Sequence, residues 1–157
     1  MERQGASVSP VDASGRITLR EHHLDQIDGP LTLTQGFDQN ILAFTKAQWD
    51  EFSTQFEGDD DGLDPDLDDL RLLFLGNAID VEIDDRGRLK IPEHLREPAK
   101  LKPGTSRARV LFIGSRFEIW DESHYQAYMA RRTPELKEAA RERRRERAAR
   151  EAEADTP

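Results

Sequence analysis

Residues 78–96 read AIDVEIDDRGRLKIPEHLR. The left arm alternates, with Ile79, Val81 and Ile83 on one side and Asp80, Glu82 and Asp84 on the other. That period of two marks a half-buried strand. Asp85, Arg86 and Gly87 supply turn chemistry, the glycine tolerating positive φ. Leu89 and Ile91 then resume the apolar side, Arg88 and Lys90 the polar side, and Pro92 suits the first position of a short helix. The stretch predicts strand, tight turn, strand and short helix.

A weaker copy lies upstream. Val11 to Leu19 (VDASGRITL) aligns with Ile83 to Ile91 (IDDRGRLKI) at a constant offset of 72, and Glu21-His22 falls on Glu93-His94. Both copies contain Asp-x-x-Gly-Arg. Further on, Gly36 to Phe44 (GFDQNILAF) is similar to Gly114 to Trp120 (GSRFEIW), each running into an expected helix. An internal repeat organises a fold more firmly than any single element. The expectation is an α+β, β-rich chain: a first module over 1–56, an acidic linker and helix over 57–77, a second module over 78–124, and a charged helix or tail over 125–157.

Each module alone would be marginal by surface-to-volume scaling, so packing of one on the other, and of subunits on each other, is expected. The chain has 157 residues and no cysteine, which excludes a disulfide framework and thiol chemistry and fits a reducing cytoplasm. No apolar run reaches the roughly 20 residues needed to span a bilayer, and the first residues do not read as a signal peptide. A cytoplasmic protein is expected. Net charge is −9, but residues 57–69 hold 8 acidic side chains and no basic one. Salt screens charges over about 8 Å, so a local basic surface can act despite a distant acidic segment.

Along the chain, Pro10 argues for an edge strand in the first module. Leu31–Thr34 and Ile41–Phe44 read as strands, and Thr45 to Gln48 has the form of a capping box opening a helix with Trp49, Phe52 and Phe56 on one face. A helix is expected after Pro65, ending at Gly76-Asn77. Val110–Ile113 is apolar throughout and reads as a strand buried on both faces. Asp121 should cap a helix carrying Tyr125 and either Tyr128 or Met129, and Thr133-Pro134 should start the Arg/Glu-rich tail helix, supported by pairs such as Glu138–Arg141 and Glu146–Arg150.

The paired Asp-x-x-Gly-Arg segments admit two readings. Asp84 with Arg88, and Glu82 with Lys90, can be cross-strand ion pairs that stabilise a hairpin. Alternatively, two symmetric turns presenting Arg16 and Arg88 form one surface suited to phosphates and base edges.

These segments, with LLFLGNAIDVEIDDRGRLKIPEHLRE, GSRFEIWD and QGFDQNILAF, resemble the MraZ family over about residues 8–128. The resemblance implies two tandem swapped-hairpin modules of the SpoVT-AbrB type. It implies a bacterial transcription regulator that forms rings and binds double-stranded DNA at repeated operator sites of the division and cell-wall gene cluster, in the nucleoid. The family's Asp-x-x-x-Arg motif falls on Asp12/Arg16 and Asp84/Arg88. The DNA-contacting set is thus expected among Asp12, Gly15, Arg16, Arg20, Asp84, Arg86, Gly87, Arg88 and Lys90. The first half departs from the family pattern in Ser14, where Lys is usual, and in Leu19-Arg20, where an apolar-Pro pair is usual. A ring-forming scaffold of the same fold without specific DNA binding is the alternative.

The linker approximates a calcium loop (Glu57, Asp59, Asp61, Gly62, Asp68), but a charged Asp64 and a short Asp68 occupy key positions, so a solvated linker is expected. The histidines have no ligand spacing, and no nucleophile–base set or phosphate-cradling glycine loop occurs. No cofactor, no small-molecule substrate and no enzymatic activity are expected. Arg141, Arg143, Arg144, Arg145 and Arg147 read as a solvated helix face or as non-specific phosphate attraction.

Overall fold

The computed structural model describes residues 5–57 and 64–155. It is a mixed α+β structure dominated by an antiparallel six-stranded sheet. The strands are β1 (Ala6–Pro10), β2 (Arg16–Thr18), β3 (Leu31–Gln35), β4 (Ile41–Phe44), β5 (Ile79–Val81), β6 (Arg88–Lys90), β7 (Arg107–Phe112) and β8 (Phe117–Asp121). The helices are α1 (Glu21–Leu24), α2 (Lys46–Ser53), α3 (Pro65–Phe74), α4 (Glu93–Arg96) and α5 (Glu122–Ala154). The large sheet runs β1-β7-β8-β4-β3-β5, and β2 pairs with β6 as a separate two-stranded ribbon.

This pairing corrects the local hairpin expected over 78–91. The two arms meet only at one bridge, Ile83 to Leu89. Upstream of it, β5 leaves to pair with β3, placing Val81 against Leu31 and Ile79 against Leu33. Downstream, β6 pairs with β2 from the other half of the chain. In that register each apolar side chain of β5 meets a leucine of β3. The expected Glu82–Lys90 ion pair is not formed among the described residues: the arms part beyond the Ile83–Leu89 bridge, and Lys90 has Arg16 opposite it on β2. The expected Asp84–Arg88 pair does form, at 2.8 Å.

The main core lies between the large sheet and the ribbon with its short helices. Ile17, Leu89, Ile91, Leu95 and Leu101 pack there with Leu31, Leu33, Ile41, Ala43, Val110, Phe117 and Ile119. Because side chains alternate along β4, Leu42 and Phe44 face the opposite side, where Phe56 and Phe74 join them under Trp49 and Phe52. Thr45 closes the expected capping box of α2 through Gln48, and Asp64 caps α3 through the Leu67 N–H. Thr34 is fully buried and donates to the Phe74 carbonyl at 2.6 Å, joining α3 to the sheet.

Other expectations were modified by packing. Pro10 does end an edge strand. Val110–Ile113 is not buried on both faces: Ala108 and Val110 face the core, whereas Ile113 is exposed. The chain forms two compact units, residues 1–122 and 123–157. In the second, α5 runs through Thr133-Pro134 without restarting there. Pro134 lacks the N–H for the carbonyl four residues earlier, while the Thr133 hydroxyl donates to the Met129 carbonyl at 2.5 Å. The Glu138–Arg141 and Glu146–Arg150 pairs are present at 3.4 and 3.8 Å. No helix among the described residues is long and apolar enough to cross a membrane.

Candidate nucleic-acid interface

Two turns frame the ribbon, and their chemistry recurs bond for bond 72 residues apart. In the first, the Asp12 N–H donates to the Arg16 carbonyl at 2.9 Å and the Gly15 N–H to the Asp12 carbonyl at 3.0 Å. Asp12 Oδ1 accepts from the Ser14 and Arg16 N–H groups, both at 2.9 Å. In the second, the Asp84 N–H donates to the Arg88 carbonyl at 3.0 Å and the Gly87 N–H to the Asp84 carbonyl at 2.9 Å. Asp84 Oδ1 accepts from Arg86 N–H at 3.0 Å and Arg88 N–H at 2.8 Å. A short carboxylate satisfies the turn's donors, so the chain reverses without leaving buried N–H groups unpaired.

Those donors also set the charge state. The Arg16 backbone N–H, with the Ser14 hydroxyl, holds the Asp12 carboxyl below its ordinary range. The Arg88 backbone N–H does the same for Asp84, outweighing desolvation and helped by the Arg88 side chain. Both remain carboxylates at neutral pH.

Each turn glycine touches the opposite half of the chain. Gly15 has φ +83, and a Cβ there would lie 2.7 Å from Arg96 Nε. Gly87 has φ +76, and a Cβ there would lie 3.0 Å from Leu24 Cδ1 and 3.3 Å from the Leu19 carbonyl oxygen. Reciprocal bonds lock the arrangement: Leu19 N–H to the Gly87 carbonyl at 2.8 Å and Ile91 N–H to the Gly15 carbonyl at 3.0 Å. Both glycines therefore serve the close approach of the two halves.

Above this lies the ribbon face. Ile17 stands opposite Leu89, both buried, and the neighbours on each strand point the other way. Arg16 pairs with Lys90 and Thr18 with Arg88, so three cations and one hydroxyl share a single face. Directly opposed cations repel. Arg88 is tied through Nε to Asp84 Oδ2 at 2.8 Å, leaving its two terminal nitrogens unengaged by that bond. Arg16 has no ion pair among the described residues, and on Asp12 it is Ser14 Oγ that donates, to Oδ1 at 2.8 Å. Arg86 is exposed on the second turn, and Arg20 is exposed at the start of α1.

The structure thus brings Arg16, Arg88 and Lys90 together, places Asp12 and Asp84 beneath them as turn formers, and leaves Arg86 and Arg20 at the periphery. Thr18 was missed. Its signal was the offset of 72, which sets it on Lys90. The calcium reading falls largely on residues 58–63, outside those described. Asp64 is used as a helix cap, Asp68 pairs with Arg71, and no cluster of three metal-ligating side chains occurs among the described residues.

Fold and face define a β-rich α+β protein with a cationic two-stranded β-ribbon set on a shared core. The family model described as "MraZ protein, putative antitoxin-like" matches residues 74–148. The chain is similar to the transcriptional regulator MraZ of Cupriavidus taiwanensis, with 37% identity over 128 residues, covering 79% of this chain and 85% of that protein. It is likewise similar to the transcriptional regulator MraZ of Burkholderia mallei, with 36% identity over 140 residues, covering 84% and 94%. The chain belongs to the MraZ family.

Proposed function

We propose that the chain is a sequence-specific DNA-binding regulator of transcription whose β2–β6 ribbon enters the major groove. The observation that carries this reading is the register that sets Arg16 opposite Lys90 and Arg88 beside them, over the buried Ile17–Leu89 pair. The major groove admits a two-stranded β-ribbon, and Arg and Lys are the side chains that read guanine edges there. The names of the relatives support regulation of transcription.

The finer reading is a ring-forming homo-oligomer, nucleoid-associated in the cytoplasm, at repeated operators of the division and cell-wall gene cluster. Exposed apolar side chains support self-association: Phe37, Leu72, Ile79 and Ile113 remain open on the single chain. We read residues 1–56 and 78–124 as two copies of one SpoVT-AbrB-like module, supported by the turn bonds repeated at an offset of 72. The rival is a ring scaffold without specific DNA binding, favoured by the net charge of −9 and by the Asp84 carboxylate that partly neutralises Arg88.

Binding of the purified chain to the duplex upstream of its own gene, against a random duplex of equal length, separates the two. Specific binding predicts an affinity ratio of at least about 10³ at physiological salt. Equal affinities would overturn specific binding and favour the scaffold.

A further inference from the structure

The ribbon leaves the charge pattern of α5 unused. This helix buries no residue, and beyond Met129 its one large apolar side chain is Leu136, which is 46% exposed. Its charges are nevertheless sorted. At about 100° per residue, Glu135, Glu138, Glu142 and Glu146 fall on one stripe, and Lys137, Arg141 and Arg144 lie about 140° away. Ala148 and Ala152 continue that basic side with small residues. Residues 141–150 hold six arginines and two glutamates, a local charge of +4 in a chain of −9.

Intrahelical pairs do not quench this face. Arg141 and Arg145 share the single Glu138 carboxylate at 3.4 and 3.5 Å, with all three side chains 57% or more exposed. Exposed pairs of this kind are weak and readily exchanged. Lys137 and Arg144 have no ion pair among the described residues.

Two occupants would suit such a face, and the helix distinguishes them. Pairing with α5 of a second copy would set acidic stripe against basic stripe with no apolar surface between. Exposed ion pairs alone do not hold helices together. Phosphate attraction needs no apolar burial, because its driving force is counterion release. From Lys137 to Arg144 the helix rises about 10 Å, the axial spread of about three phosphates on one strand.

We infer that the Lys137–Arg141–Arg144 face of α5 is a second, sequence-independent contact to the DNA backbone. This rests on the reading of the chain as a DNA-binding protein but not on the ribbon's choice of sequence. It raises affinity for all duplexes alike and leaves discrimination to the ribbon.

The test uses the full chain and a random-sequence duplex, with affinity followed from about 50 to 200 mM salt. K137Q/R141Q/R144Q is compared with R132Q/R143Q/R150Q, which removes the same charge from a different side of the helix. Circular dichroism checks that α5 persists, and light scattering gives the oligomer mass. The first variant should reduce the salt slope by two to three and the affinity by at least about tenfold, the second far less. Equal losses would show a diffuse field, and no loss would show an idle helix; either overturns the inference. A changed oligomer mass in the first variant would show pairing with another copy and overturn it too. Random-duplex binding that depends on this face, without operator preference, would sink the ribbon reading and leave this inference standing.

Discussion

Gly87→Ala probes how the two halves interlock. The residue has φ +76, where an L side chain is strained by about 1–2 kcal/mol. The new Cβ also meets the Leu19 carbonyl oxygen at 3.3 Å and Leu24 Cδ1 at 3.0 Å, both from the first half of the chain. Gly29 supplies the control, with φ +84 and nothing within 4 Å of its Cβ position. Gly29→Ala should therefore cost the strain alone, and Gly87→Ala about 2–4 kcal/mol, the excess being the cross-half clash. At about 2–4 °C per kcal/mol, thermal denaturation should fall by roughly 4–16 °C for Gly87→Ala and less for Gly29→Ala. Leu24→Ala opens space at the tighter contact, so the double variant Gly87→Ala/Leu24→Ala should cost less than the sum of its parts. Equal Tm losses at Gly87 and Gly29, with additivity at Leu24, would refute the interleaved packing.

Other consequences follow from single contacts. Burial, and then His22, holds the His23 imidazole below its ordinary pKa, so the unfolded chain binds more protons near pH 6.5 and stability is lost as pH falls through that range. His23→Leu, which copies the buried Leu95 found 72 residues later, should flatten the Tm profile between about pH 5 and 7.5. Thr34→Val strands the Phe74 carbonyl and should cost about 1–3 kcal/mol in urea denaturation. The Asp84 carboxyl is held low by the Arg88 N–H, so its contribution is present above the unfolded value of 3.8 and is lost as pH falls below it. Asp84→Asn should accordingly lower Tm at pH 7, and the deficit should close as pH is taken below that value.

Much of the fold was legible because it rests on local chemistry. The Thr45–Gln48 box, the Gly87 turn and the alternation along Ile41–Phe44 each bind the chain to one conformation over a few residues. Strand partners were not legible in this way. Alternation at Ile79, Val81 and Ile83 shows that one side is buried but not against which strand, and the tight turn suggested the nearest one. With β5 on β3 the Glu82–Lys90 pair is lost, and the pairing of β6 with β2 sets Lys90 opposite another cation, Arg16. Of the candidate site, both Asp-x-x-Gly-Arg turns could be read directly. Thr18 carries no charge to mark it, and only its repeat position, 72 residues before Lys90, pointed to it. Pro134 misled because α5 runs through it along a solvated stretch, so the helix start that Thr133-Pro134 suggested does not occur.

Arg16→Ala tests the ribbon most directly. Arg16 has no ion pair among the described residues, and its turn is held by backbone donors and Ser14, so the substitution removes a cation without unmaking the turn. Operator affinity, measured beside Tm and a random-duplex control, should fall by about 1–3 kcal/mol more on the operator than on the control if Arg16 reads a base, with Tm unchanged. Unchanged operator affinity in a normally folded Arg16→Ala protein would contradict the assignment of this face to DNA.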